Sequence, residues 1–249
     1  MTQSGTVLGC RVDAITADEA VQQIVAFTRE RNPHLIVTLG TEMAVYAQKD
    51  PLFRATVNGA ALSLCDTVGI QWAARMRGIP ITERVAGIEL IQPLGRACAE
   101  ERVPVYLLGG HGDTARRAAA ALQARHARLI IAGTRDGYFD DAQSDAVAEE
   151  IAESGARVLL AGLGSPRQEL WLARHLTATG CAVGIGVGGS FDVLAGNVAR
   201  APAAWRRAGL EWLYRLCSEP RRWRRQLALP QFVLLALRER WFPVRRFVA

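Results

Sequence analysis

The sequence predicts an α/β domain built on a mainly parallel sheet, followed by a basic helical appendage. Three observations predict it. Short β-branched apolar runs alternate with stretches of helical spacing over the first 200 residues. Three of those runs end in glycine-rich turns, and the composition shifts abruptly at Arg200-Ala201-Pro202. The expected division is therefore 1–200 for the α/β body and 201–249 for the appendage.

In chain order, strands are predicted at Leu35–Thr38, Ala61–Leu64, Val103–Leu108, Leu129–Ala132, Val158–Ala161 and Ala182–Val187. Between and around them, Ala17–Arg29, Met43–Gln48, Ile88–Arg102, Thr114–Arg125, Ser144–Ser154 and Glu169–Thr179 have helical spacing or alanine-rich helical propensity. Asp18 and Thr114 read as starting signals for two of these helices. A strand–helix alternation of this kind favours parallel pairing, because each crossover consumes a helix.

The composition bounds the function classes. A chain of 249 residues, 50% hydrophobic and 22% charged, can bury a substantial core, which excludes global disorder. Five cysteines lie far apart with no CxxC pair, against a disulfide scaffold or zinc module and in keeping with a reducing cytoplasm. Residues 1–12 show no basic stretch leading into an apolar run, and no segment approaches ~18 uninterrupted apolar residues. The expectation is a soluble protein, or one that lies on a membrane.

The net charge of +6 is uneven. Residues 200–249 hold twelve arginines against three glutamates, a local +9, which leaves −3 on the preceding 199 residues. Four of the six tryptophans, Trp205, Trp212, Trp223 and Trp241, sit in the same segment. Interleaved arginine and tryptophan suit an anionic lipid surface. Nucleic acid would select a similar composition, and tryptophans packed on the body would leave the arginines simply solvated. Trp205, Ala208, Trp212 and Leu216 recur at spacings of three and four, predicting one apolar face on a 203–217 helix. The apolar run Leu227–Leu237, interrupted by Pro230 and Gln231, is too short to span a bilayer and long enough to lie in its interface.

Three glycine-rich turns, at 109–112, 162–166 and 184–190, provide phosphate-compatible backbone at one edge of the sheet. Gly184, Gly186 and Gly189 formally satisfy GxGxxG. They overlap the strand instead of following it, which makes a nicotinamide dehydrogenase a poor reading. No HExxH, GxSxG or Walker lysine is present, and Lys49 is the sole lysine.

Polar residues at predicted strand ends carry more. The run Thr38-Leu-Gly-Thr-Glu42 follows one apolar strand directly. Asp66, in Leu64-Cys65-Asp66-Thr67, stands at the mouth of another. It suits either a general base or the cap of the following helix. Arg84, in Glu83-Arg84-Val85-Ala86-Gly87, suits either a phosphate contact or a surface ion pair with Glu83 or Glu89.

Taken in order, Asp66, Glu83–Gly87, Asp136-Gly137-Tyr138-Phe139, Gly164-Ser165-Pro166-Arg167-Gln168-Glu169, Gly186–Asp192, Arg200-Ala201-Pro202 and Leu210-Glu211-Trp212-Leu213-Tyr214-Arg215 resemble one family. It is the WecG/TagA/CpsF bacterial glycosyltransferases, matched over nearly the full length. The resemblance implies a Rossmann-like domain with helices on both faces of the sheet. It implies inverting transfer of a sugar, of ManNAc, ManNAc uronic acid or glucose type, from a UDP-sugar to a polyprenyl-diphosphate-linked sugar. The pathways served are teichoic acid, capsule, exopolysaccharide or enterobacterial common antigen.

By resemblance Asp66 is the base on the acceptor hydroxyl and Arg84 a diphosphate contact. Tyr138, Gln168 and Asp192 are donor-binding positions, and Arg215, Arg222 and Arg225 neutralise the diphosphate. Thr41 stands where several members have asparagine, and Cys65-Asp66-Thr67 replaces the more usual Pro-Asp-Gly. No cofactor and no metal are implied, and no DxD pair is present. The expected partners are the UDP-sugar donor, the lipid-linked acceptor and an anionic membrane surface, not nucleic acid, with self-association into a homo-oligomer left open. The expected location is cytoplasmic, peripheral on the inner face of the cell membrane. A catalytically silent membrane-docking scaffold of the same fold is the alternative.

Overall fold

A computed structural model describes residues 3–207, 209–218, 223 and 227–241, without the side chains of Arg215 and Ser218. The chain begins with an antiparallel hairpin, β1 (Gln3–Val7) and β2 (Cys10–Ala14), which the sequence reading omitted. Its two-residue turn is Leu8-Gly9, both at positive φ (51° and 72°). Two positive φ values suit an Asn-Gly turn, so a leucine in the first position hides the signal.

The body is a six-stranded parallel sheet of β3 (His34–Leu39), β4 (Leu62–Cys65), β5 (Val105–Gly109), β6 (Ile131–Arg135), β7 (Val158–Gly162) and β8 (Val183–Gly186), in the order β4-β3-β8-β7-β5-β6. The strand at 129–132 was expected too early. Its pairing with β5 is irregular between Val105 and Tyr106.

Helices cover both faces. On one side α1 (Ala17–Phe27), α5 (Gly87–Glu100) and α6 (Thr114–Arg125) pack on Ile36, Leu107, Leu160 and Ile185. On the other, α2 (Thr41–Tyr46), α3 (Pro51–Gly59) and α4 (Val68–Met76) enclose Val37 and Leu39. Farther along that face, α7 (Ser144–Glu153) and α8 (Arg167–His175) enclose Leu108 and Leu159. Strands buried on both faces read as continuous apolar runs, which is why they were legible.

The start signals differ from the expected ones. The α1 cap is Thr16, in a capping box with Glu19, not Asp18. At α6 the cap position is Asp113, and the Thr114 hydroxyl donates to the carbonyl of His111 at 2.7 Å. Two unforeseen helices have clear local causes. Asp50 accepts from the Phe53 N–H at 2.9 Å ahead of Pro51, and Thr67 accepts from the Ile70 N–H at 3.4 Å.

After α9 (Ser190–Leu194) come α10 (Ala203–Arg207), α11 (Glu211–Ser218) and α12 (Ala228–Trp241). The single 203–217 helix expected from periodicity is two helices, with Gly209 at φ +72° between them. Pro230 falls in the first turn of α12, where its missing N–H is not needed. Phe232 and Ala236 of α12 are buried against the body. Glu239 pairs with Arg77 at 3.3 Å and accepts from the Leu8 N–H at 2.9 Å. Trp205, Trp212, Trp223 and Trp241 all stay exposed, the last at 74%. No described helix is long and apolar enough to cross a membrane.

Candidate active site

The carboxyl ends of β3, β4, β7 and β8 open into one cavity of about 710 Å³. Parallel sheets place ligands at this edge because the loops leaving the strands diverge there. At the centre, Thr38 on β3 donates its hydroxyl to the Gly186 carbonyl on β8 at 2.9 Å. Thr41 opens α2, buried beside Gly69, where an added Cβ would meet its methyl group at 2.4 Å.

Asp66 follows β4. The loop before α5 runs back alongside that strand, and the Val85 N–H donates to the Cys65 carbonyl at 2.8 Å. This brings the first residue of α5 to the carboxylate, and the Gly87 N–H donates to Asp66 Oδ1 at 2.8 Å. The helix after Asp66 is capped by Thr67, so Asp66 is not the cap of its own following helix. It holds the amino terminus of a different one, whose dipole favours a negative charge there, and it lines the cavity.

Arg84 donates to the Asp66 carbonyl at 3.4 Å and to both oxygens of Glu89 at 3.3 Å, and lies 3.8 Å from Glu211. Arg200 also binds Glu89, and Arg206 lies 3.9 Å from it. Of the two sequence readings of Arg84, the ion pair with Glu89 is formed, and the same side chain lines the cavity. Glu83 instead accepts from the Ala17 N–H. Three guanidinium groups thus gather around Glu89 and Glu211, while the carboxylates of Asp66 and Glu42 also line the cavity.

Gln168 enters from the first turn of α8. Its Oε1 accepts from the Gly188 N–H at 3.0 Å, and its Nε2 donates to Glu169 at 2.7 Å. Two of the three glycines of the formal GxGxxG, Gly184 and Gly186, serve this packing. A Cβ at Gly184 would come 2.8 Å from Leu176, and one at Gly186 2.6 Å from Gln168 Nε2. They let α8 lie close on β8 and do not form a free phosphate loop. Arg167 ties α8 to the loop after β6, donating to the carbonyls of Gly137 and Phe139 at 2.6 Å each.

The far wall comes from the appendage: Arg206, Gly209, Glu211, Trp212, Leu229, Phe232 and Val233. A polar floor thus faces a wall rich in apolar surface. Thr41, Asp66, Arg84 and Gln168 are brought together here. Tyr138 is not on this cavity. It is 75% exposed, edge-on to His111 at 4.8 Å, above the glycine turn after β5. Asp192 stands beside it on α9, accepting from Asn197 at 3.2 Å, with Oδ2 next to the cavity residue Gly189. Arg215 lies on α11 with its side chain outside the described residues, as are Arg222 and Arg225 entirely.

Glu89, Arg206, Trp212 and Glu169 were not singled out from the sequence as site residues. Glu169, Glu211 and Trp212 lie inside quoted motifs, but nothing local distinguishes a residue that faces a cavity from one that faces solvent. Among the described residues, no group of three His, Cys, Asp or Glu side chains forms a metal cluster. A second cavity of about 230 Å³, between β1 and Arg77–Ile79, contains no carboxylate.

The family model described as Glycosyl transferase WecG/TagA/CpsF family matches residues 5–246. The chain is similar to the N-acetylglucosaminyldiphosphoundecaprenol N-acetyl-beta-D-mannosaminyltransferase of Bacillus spizizenii. It is 34% identical to that enzyme over 203 residues, which cover 82% of this chain and 78% of the relative.

Proposed function

The chain belongs to the WecG/TagA/CpsF family and is a glycosyltransferase, and from that premise we propose inverting transfer of N-acetylmannosamine from its UDP derivative. The acceptor in this reading is a polyprenyl-diphosphate-linked N-acetylglucosamine, in cell-wall polysaccharide or teichoic acid synthesis. The relative's name supports the acceptor, the sugar and the β configuration. The observation that carries the reading is the carboxylate of Asp66 on the cavity floor, fixed by the Gly87 N–H, with Arg84 on the main-chain carbonyl of the same residue.

The chemistry follows from those positions. A sugar hydroxyl is a weak nucleophile at neutral pH, so Asp66 takes its proton as the oxygen attacks the anomeric carbon. The bond from that carbon to the diphosphate oxygen breaks, and its electron pair leaves with UDP. One displacement from the opposite face inverts an α-linked donor to a β product. Arg84 supplies a planar, bidentate donor to the diphosphate. On binding, the diphosphate takes over the place near the guanidinium now held by Glu89 and Glu211. A cavity of about 710 Å³ falls in the size range of small-molecule and cofactor sites.

The appendage supports peripheral attachment to the inner face of the membrane, where a polyprenyl carrier resides. Trp223, Leu234 and Trp241 are exposed, in a segment whose sequence is rich in arginine. Such surfaces lie in the interface without crossing it.

The test is transfer from UDP-N-acetylmannosamine to a short-chain polyprenyl-diphosphate N-acetylglucosamine, with the product anomer assigned by NMR. A β-linked disaccharide is expected. An α-linked product would overturn the single displacement, and transfer from another UDP-sugar alone would overturn the donor.

A further inference from the structure

Glu169 is fully buried in the first turn of α8, next to the cavity but not on its lining. Its Oε1 accepts from Gln168 Nε2 at 2.7 Å, while Oε2 has no hydrogen-bond partner among the described residues. A buried carboxyl with an unused oxygen is costly unless it serves something. Gln168 is held from both ends, because its Oε1 accepts from the Gly188 N–H at 3.0 Å. An amide nitrogen has two hydrogens. With one on Glu169, the other is available to a ligand in the cavity that Gln168 lines. Space for the pair is built in at Gly186, where a Cβ would come 2.6 Å from Gln168 Nε2 and 3.0 Å from Glu169 Oε1.

We propose that Glu169 is a positioning residue, acting through Gln168: it pins the side-chain amide so that the second N–H is presented to the substrate. The inference deepens the glycosyltransferase reading and rests on it for the substrate. The pinning itself does not depend on that reading. Without the acceptor at 169, the Gln168 amide keeps one anchor instead of two, and its nitrogen end is free to turn from the cavity.

The experiment is a double-mutant cycle on transfer kinetics with Glu169→Leu and Gln168→Ala, beside the conservative Glu169→Gln. Loss of one oriented hydrogen bond predicts that Glu169→Leu lowers kcat/KM by about tenfold. Glu169→Gln retains an oxygen acceptor and is expected to stay within about threefold of the parent enzyme. In the Gln168→Ala background, Glu169→Leu should cost nothing further. Additive losses, or a Glu169→Gln variant as impaired as Glu169→Leu, would overturn the proposal. Independently of activity, the Gln168 side-chain amide hydrogens, assigned by nitrogen-15 NMR, should exchange slowly in the parent and Glu169→Gln proteins and rapidly in Glu169→Leu. Unchanged exchange in Glu169→Leu would also overturn the pinning. An inactive parent protein with the expected exchange pattern would instead count against the proposed transfer reaction alone.

Discussion

Asp66 and Gly87, 21 residues apart, meet through a 2.8 Å hydrogen bond from the first amide of α5 to the carboxylate at the end of β4. One side chain thereby anchors a 14-residue helix and lines the cavity. The anchoring accounts for its fixed position, and the cavity accounts for its chemistry. The two roles separate on substitution.

Asp66→Asn keeps an oxygen for the Gly87 N–H but cannot take a proton. Turnover is expected to fall by about a hundredfold or more, the scale of a positioned base, with donor affinity little changed. Single-turnover kinetics and calorimetric titration with the UDP-sugar separate the two. Near-normal turnover would reduce Asp66 to an anchor for α5.

Charge neutralisation in this mechanism comes from arginine. Arg84 and Arg206 line the cavity, with Arg200 bound to the same Glu89. Transfer should persist in excess EDTA. Loss on chelation with recovery on adding magnesium or manganese would refute neutralisation by arginine alone.

Burial pushes the Glu169 carboxyl above its ordinary value of 4.5, with the neighbouring Gln168 amide and Ser165 hydroxyl opposing part of the rise. The folded chain therefore holds this proton to higher pH than the unfolded chain. Its contribution to stability is complete below 4.5 and declines as pH rises through the raised value. The gap in thermal midpoint between Glu169→Gln and the parent protein should move in favour of the variant across that interval and then level off. Other carboxyls titrate alike in both proteins and cancel. A pH-independent gap would show that the Glu169 carboxyl titrates alike in the folded and unfolded chains.

In the appendage, neighbouring residues of α12 should respond in opposite ways. Phe232 is buried against the body, whereas Leu234 is 69% exposed. Phe232→Ala is expected to cost about 3–5 kcal/mol of stability, as for other core phenylalanines. Leu234→Glu should leave the thermal midpoint unchanged and weaken sedimentation with anionic vesicles, since it places a negative charge on an apolar surface. Equal vesicle binding by Leu234→Glu would remove this face of α12 from the membrane contact. Truncation before Ala203 would remove both the buried Phe232 and the Glu239–Arg77 pair, so destabilisation of the body is the expected result.

What the sequence determined by itself had a local cause. Helix α6 spans the expected Thr114–Arg125, and the six sheet strands were found, most within two residues, because strands buried on both faces are continuous apolar runs. The ordered motifs likewise identified the family, and they contain Asp66, Arg84 and Gln168, which line one cavity. Where a local signal was atypical, the reading failed: Leu8-Gly9 concealed a hairpin, and Gly209 divided a helix that periodicity had run together. The tertiary structure alone decided which polar residues share a cavity. Asp66 meets an amide 21 residues away, Gln168 one 20 away, and Thr38 a carbonyl 148 away. Periodicity reports the face of an element that is buried. It carries no information about which distant element covers that face, and so it separated neither Tyr138 from the cavity nor Glu169 from solvent.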